Sequence, residues 1–249
     1  MMHKLAYSAV AMVVAASAAG IAFSSPDVAP GEACGLGPPP GSPQFAERQA
    51  RDVQEIAHKG YLTVCAANLE RFDVTSSLKP LKRAAEGLAF TPLDLSHTPF
   101  AQFSGLGGMQ ESVGDKKSRL YRAFRDTAGR TVTLFEHEMS ADGSTSYRDP
   151  KDEPERINGL PARLSIFQTG SGKKAVSVLS WQEGRRYLEL WVDANVALEP
   201  KRAALFALAQ SLPKSVPARP NAPQRPPPKL GPDGLPIIDF PPMLPPDAR

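Results

Sequence analysis

The spacing of apolar residues changes along the chain, and the changes divide it into parts. Leu5 to Phe23 is a predominantly apolar run rich in Ala and Val, with Lys4 the only charge before Asp27. From Phe45 to Lys59 the period is helical: Phe45, Gln49, Val53 and Ile56-Ala57 recur every three to four residues, and Gly60 can close the helix. Tyr61 to Ala66 reads as a short strand or irregular stretch carrying Cys65. A second helix is predicted over Leu78 to Glu86, with Ser76 or Ser77 capping, Pro80 in the first turn and Gly87 as the stop.

Beyond Phe90 the period becomes alternating. Arg119 to Phe124 and Thr131 to Glu136 flank the turn Asp126-Thr127-Ala128-Gly129 and predict a hairpin. A polar, mobile loop is expected from Ala141 to Pro154. Strands follow at Ala162 to Phe167, Val176 to Trp181 and Arg186 to Val192, the last two joined tightly at Glu183-Gly184. Pro200 opens a closing helix through Ser211, with Leu205, Leu208 and Leu212 on one face. The expected fold is α+β: an antiparallel meander of about five strands, one face wet and the other packed by helices.

Proline marks the end of the folded part. Thirteen of the 26 prolines lie between Pro213 and Pro246, a density that leaves too few backbone donors for a helix or ladder. The organisation predicted is a signal peptide over 1–18, a flexible leading segment over 19–43, an α+β periplasmic domain over 44–212 and a disordered Pro-rich tail over 213–249. The tail holds one apolar island, Leu235, Ile237, Ile238 and Phe240, which has the form of a short docking motif.

The first 18 residues combine a basic start, an apolar stretch and the small-x-small site Ala16-Ser17-Ala18, so the chain is expected to be exported to the periplasm or secreted. The apolar run is also just long enough to span a bilayer, which would leave the body anchored at the inner membrane if the leader is retained. In an oxidising compartment the two cysteines, Cys34 and Cys65, are expected to pair. Closing that loop would stabilise the fold by on the order of 3–4 kcal/mol.

Charge narrows the partners. Without Lys4 and the tail, the body carries 23 basic and 23 acidic residues, and this neutrality argues against nucleic acid as a partner. Glu136-His137-Glu138 is the densest group of ionisable residues, but strand alternation sends His137 to one face and both glutamates to the other. A zinc-protease motif would need histidine at position 141, which is Ala141. No metal site and no cofactor are predicted.

Ser76-Ser77-Leu78-Lys79 and Ser171-Gly172-Lys173-Lys174 match S-x-x-K, a pattern whose lysine can activate a serine nucleophile. The companion motifs of that chemistry are absent from the chain, and so is a G-x-S-x-G elbow. Gly105-Leu106-Gly107-Gly108 reads as a flexible turn rather than a phosphate cradle. Trp181, Tyr187 and Trp191, on adjacent strands, are candidates for an apolar binding groove or for core packing.

From Lys82 to Leu212 the layout resembles the extracytoplasmic domain of transmembrane anti-sigma factors. The resemblance rests on Pro92-Leu93-Asp94-Leu95-Ser96 after a helix, and on the strand pair from Tyr121 to Leu134. It continues with Trp181, Gly184 and Tyr187-Leu188-Glu189-Leu190, and with a closing helix from Ala203 to Leu212. It implies a sensory or partner-binding envelope domain. With three residues ahead of Lys4, the chain is not expected to carry that family's cytoplasmic sigma-binding part.

These observations together predict an exported, non-enzymatic envelope protein that binds a protein or polymer partner, with the Pro-rich tail as spacer or docking arm. Contact with a membrane is expected only through a retained leader. The alternatives are a serine hydrolase acting on envelope polymer or lipid, with Ser76, Ser77 or Ser171 as nucleophile, and a carrier of a lipophilic ligand near Trp181 and Trp191.

Overall fold

The computed structural model describes residues 41–221 apart from 147 and 149–152, together with Pro38. The predicted leader, Cys34 and the apolar island of the tail lie outside these residues. Among the described residues, no helix is long and apolar enough to cross a membrane.

Helix α1 (Pro43–Lys59) begins two residues ahead of the expected Phe45 and ends at the expected Lys59. Ser42 Oγ accepts from the Phe45 amide at 3.2 Å, Pro43 supplies a pre-set φ, and Gly60 ends the helix at φ 78°. Then come β1 (Leu62–Val64), α2 (Ala66–Glu70) and α3 (Leu81–Ala84). The sheet continues with β2 (Ser104–Val113), β3 (Lys116–Arg125) and β4 (Thr131–Glu138), followed by α4 (Met139–Asp142). The second half supplies β5 (Glu155–Ile157), β6 (Leu160–Thr169), β7 (Ala175–Glu183), β8 (Arg186–Val192) and α5 (Lys201–Gln210).

The class is α+β as expected, but the described residues form eight strands rather than about five, in two meanders rather than one. The order is β1-β6-β7-β8-β4-β3-β2, with β5 on the outer side of β6. β2-β3-β4 and β6-β7-β8 are each hairpin-connected, and they join where β4 pairs antiparallel with β8. β1 adds in parallel beside β6. β1 falls within Tyr61 to Ala66, where a short strand or irregular stretch was expected, and β5 has three residues, too few for alternation to register.

β2 escaped the pattern because it is glycine-rich, and Gly105 to Gly108 lie within it rather than in a free turn. Gly107 and Gly108 are needed because Lys79 and α3 cross the strand closely. Lys79 and Gly108 exchange both backbone hydrogen bonds at 2.9 Å. A Cβ on Gly107, at φ 133°, would sit 2.5 Å from the Lys79 carbonyl, and one on Gly108 would sit 3.0 Å from the Ala84 Cβ. This crossing covers part of an otherwise open sheet edge. It also explains why the expected helix over Leu78 to Glu86 shortens to α3, since Leu78 and Lys79 are drawn into extended pairing.

Both faces of the sheet are covered, where one wet face was expected. The first carries Phe124, Leu134, Leu179, Trp181, Leu188 and Leu190 beneath α5 and the strap from Leu88 to Phe103. The second carries Tyr121, Ala123, Phe135, Val178 and Trp191, capped by Phe72 and Val74 from the segment after α2. Phe72 stacks on Phe167 at 5.6 Å and meets Trp191 edge-on at 5.2 Å.

Candidate functional site

On the first face, the strand phase that should be apolar carries charge at one end of the sheet. Arg122 falls between Leu120 and Phe124 on β3, Glu136 and Glu138 follow Leu134 on β4, and Arg186 leads Leu188 on β8. Glu136 and Glu138 are fully buried, and Arg186 is 1% exposed. Glu136 bridges both arginines, with Oε1 2.6 Å from Arg122 Nη2 and Oε2 3.2 Å from Arg186 Nη1. Glu138 Oε2 takes the Nε hydrogen of Arg186 at 3.0 Å.

The charges balance, and the backbone fills most of the remaining valences, leaving Arg122 Nε without a partner among the described residues. The Leu93 amide donates to Glu136 Oε2 at 3.0 Å, and Arg122 Nη1 donates to the Leu93 carbonyl at 2.9 Å. Arg186 Nη2 donates to the Thr91 carbonyl at 3.1 Å. Burial pulls the Arg122 guanidinium below its usual pKa, and Glu136 opposes that shift. Glu136-His137-Glu138 thus alternates as expected, and its two glutamates form a buried ion network.

The start of the tail seats on this same end. Ser215 donates its amide to Glu183 Oε2 at 2.9 Å and its hydroxyl to the Glu183 carbonyl at 3.2 Å. The Val216 carbonyl accepts from Arg186 Nη2 at 3.3 Å, and the Arg219 amide donates to Ser140 Oγ at 3.0 Å. Ser140 Oγ in turn donates to Glu138 Oε1 at 2.5 Å. Residues 213–219, expected to be disordered with the rest of the tail, are therefore held by the body.

The three candidate groove residues separate. Trp181 lies opposite Leu188 and is 2% exposed in the first-face core, whereas Tyr187 and Trp191 point to the second face. Alternation decides this, because Tyr187 and Trp191 share a phase that Trp181, across from Leu188, does not. Glu189 holds the pair together, accepting from Tyr187 Oη at 2.5 Å and from Trp191 Nε1 at 2.7 Å. Burial and Glu189 both push the Tyr187 hydroxyl pKa well up, so it stays a donor. The Arg148 guanidinium sits 5.2 Å above the Tyr187 ring.

His137, on the second face, lies 2.7 Å from Asp142 Oδ2, which also accepts from Ser118. Here the carboxylate is central and the serine does not reach the imidazole, so this is not a nucleophilic triad. Burial lowers the His137 pKa and outweighs the opposing pull of Asp142; nearby Arg119 adds to the lowering and Glu138 opposes it. Arg185, 8% exposed, gives Nη2 to the Met139 and Ser144 carbonyls, while Nε and Nη1 have no hydrogen-bond partner among the described residues.

Ser76, Ser77 and Ser171 are exposed on turns. Ser171 Oγ bonds to Thr169 Oγ1 at 3.1 Å and to the Lys173 amide at 3.4 Å, an arrangement that closes a turn rather than activating a nucleophile. Among the described residues, no group of three or more His, Cys, Asp or Glu could hold a metal ion. An open groove of about 430 Å3 lies between the end of α1 and the β8–α5 connection, lined by Tyr61, Ala197, Leu198 and Pro200 with Lys59 and Lys201. Neither tryptophan lines it. Cys65 is buried at the start of α2.

Comparison with known proteins finds no matching family model and no significant match among curated proteins or solved structures.

Two outcomes follow from this geometry. Glu136→Ala leaves two arginines short of their counter-charge, and urea denaturation should show a loss of about 3–5 kcal/mol; a loss under 1 kcal/mol would contradict the network's importance. For His137, the folded chain takes up its proton at lower pH than the unfolded chain, whose ordinary value is 6.5. Its stabilising contribution is complete above that value and is lost as pH falls below it toward the folded value. Stability measured from pH 7.5 down to 5 should therefore decline, and His137→Gln should flatten the decline.

Proposed function

We propose that this chain is an exported, non-enzymatic binding protein whose α+β body holds a Pro-rich docking arm toward a protein or polymer of the cell envelope. The observation that carries the reading is the anchored root of the arm. Ser215, Val216 and Arg219 are bonded to Glu183, Arg186 and Ser140, so the arm leaves from one defined end of the sheet. A tail that served only as a loose end would gain nothing from such a seat.

The apolar island from Leu235 to Phe240 is the recognition element in this reading. Pro-rich flanks lower the conformational entropy lost when such a segment docks. The resemblance in layout to the extracytoplasmic domain of anti-sigma factors favours the same class of role, a partner-sensing module outside the membrane.

Export and a Cys34–Cys65 disulfide belong to the same proposal. The leader pattern supports export, and the presence of two cysteines in a chain bound for an oxidising compartment supports the bond. Alkylation of the folded protein recovered from the envelope should label neither cysteine until a reductant is added. Labelling without reductant would remove the disulfide from the reading.

The deciding experiment is cross-linking and affinity capture in intact envelopes, comparing the full chain with one ending at Asn221. A specific partner retained by the full chain and lost on truncation is the expected result. Equal capture by both would move recognition onto the folded body and overturn the docking role of the arm.

A further inference from the structure

Pro213, Pro217 and Pro220 punctuate the segment that follows Leu212, the last buried residue of the body. Proline fixes φ and lacks an N–H, so these positions favour an extended path and leave few donors to satisfy. The segment spends two of its donors on the body, Ser215 N–H on Glu183 and Arg219 N–H on Ser140. The Val216 side chain is 74% exposed, so at this residue the body is gripped through the backbone carbonyl rather than by apolar burial.

What lies beneath is the buried ion network. Arg186 Nη2 divides its hydrogens between the Val216 carbonyl of the segment and the Thr91 carbonyl of the strap. Its other nitrogens hold Glu136 and Glu138. Ser140 Oγ is shared in the same way, accepting from Arg219 and donating to Glu138. One tail contact thus ends on each of two side chains that also fix the glutamates.

We propose that residues 213–219 are a releasable clasp, and that lifting it loosens the buried network, so that an engaged arm is registered inside the body. A seat built from a few backbone hydrogen bonds at the surface belongs to the part of a structure that opens first. Once it opens, Arg186 loses an acceptor and Ser140 a donor in a buried site. An unmade hydrogen bond there is costly unless water enters to replace it.

The coupling runs both ways. A ligand that binds only the lifted arm weakens the network, and a change that weakens the clasp tightens such a ligand by the same factor. This device goes beyond the docking role and stands whether or not the arm has a protein partner.

The test is residue-resolved amide hydrogen exchange on the full chain, comparing the natural sequence with Ser215→Pro/Arg219→Pro. These changes delete both backbone donors of the clasp, together with the Ser215 hydroxyl, and leave every network side chain in place. The Leu93 and Ser140 amides, which donate to Glu136 and Glu138, report on the network. The Leu134 and Leu190 amides, at fully buried positions of β4 and β8, report on the sheet as a whole.

The expected result is roughly tenfold faster exchange at Leu93 and Ser140, with Leu134 and Leu190 unchanged. Unchanged exchange at all four would show that the clasp is not coupled to the network. Equal acceleration at all four would make the segment a general stabiliser and overturn the local mechanism. Arg219→Pro alone should accelerate Ser140 by a smaller factor, and no change there would also count against the proposal. Failure of this test leaves the docking role intact, and loss of the docking role leaves this coupling intact.

Discussion

The carboxylate of Glu136 is the constraint on which the rest of the first face depends. It is fully buried between two arginines, and a lone charge in that position would be prohibitively costly. Its neutralisation requires β3, β4 and β8 to be paired in one register, because Arg122 and Arg186 come from the strands on either side. A slip of one residue would send Glu136 and Glu138 to the opposite face and put His137 among the core leucines. The same carboxylate captures the Leu93 amide, which fixes the strap that covers the core. A buried ion network of this kind adds little net stability over a packed apolar substitute, so its value here lies in the position it enforces.

The two faces are built on different chemistry. The first is aliphatic around a central Leu134–Leu190–Leu179 row, with charge confined to one end. The second is aromatic and mixed: Tyr121, Phe135 and Trp191 lie within 6.4 Å of one another, centre to centre. Arg71 and Arg148 rest on neighbouring rings, and Glu189 and Glu111 take the polar tips of Tyr187, Trp191 and Tyr121. Pairing most of these polar tips within the face is consistent with its being covered by the short, irregular segment around Phe72 and Val74 rather than by a full helix.

Body and tail meet at the charged end. The ion network, α4 and the first residues after Leu212 are joined by Ser140, Glu183 and Arg186, so the boundary between domain and arm is a hydrogen-bonded seat. The proposed binding role and the proposed clasp both draw on this junction, the first for direction and the second for communication.

Local pattern was enough for the elements whose periodicity is strong: α1 with its Gly60 stop, the β3–β4 hairpin, β7 and β8 around Gly184, and α5 after Pro200. The charged residues of the network were also in view, since Arg122, Glu136, Glu138 and Arg186 each interrupt an apolar strand phase. That interruption is a signal of burial with partners, but it does not say which partners. The pairing of β4 with β8 and the parallel addition of β1 depend on residues tens of positions apart. Alternation assigns side chains to two faces of one strand and carries no information about which strand lies beside it. That choice was made by the packing of the whole sheet, where apolar area and opposite charges had to be matched at once, and it alone brought Val216 and Arg219 onto the network.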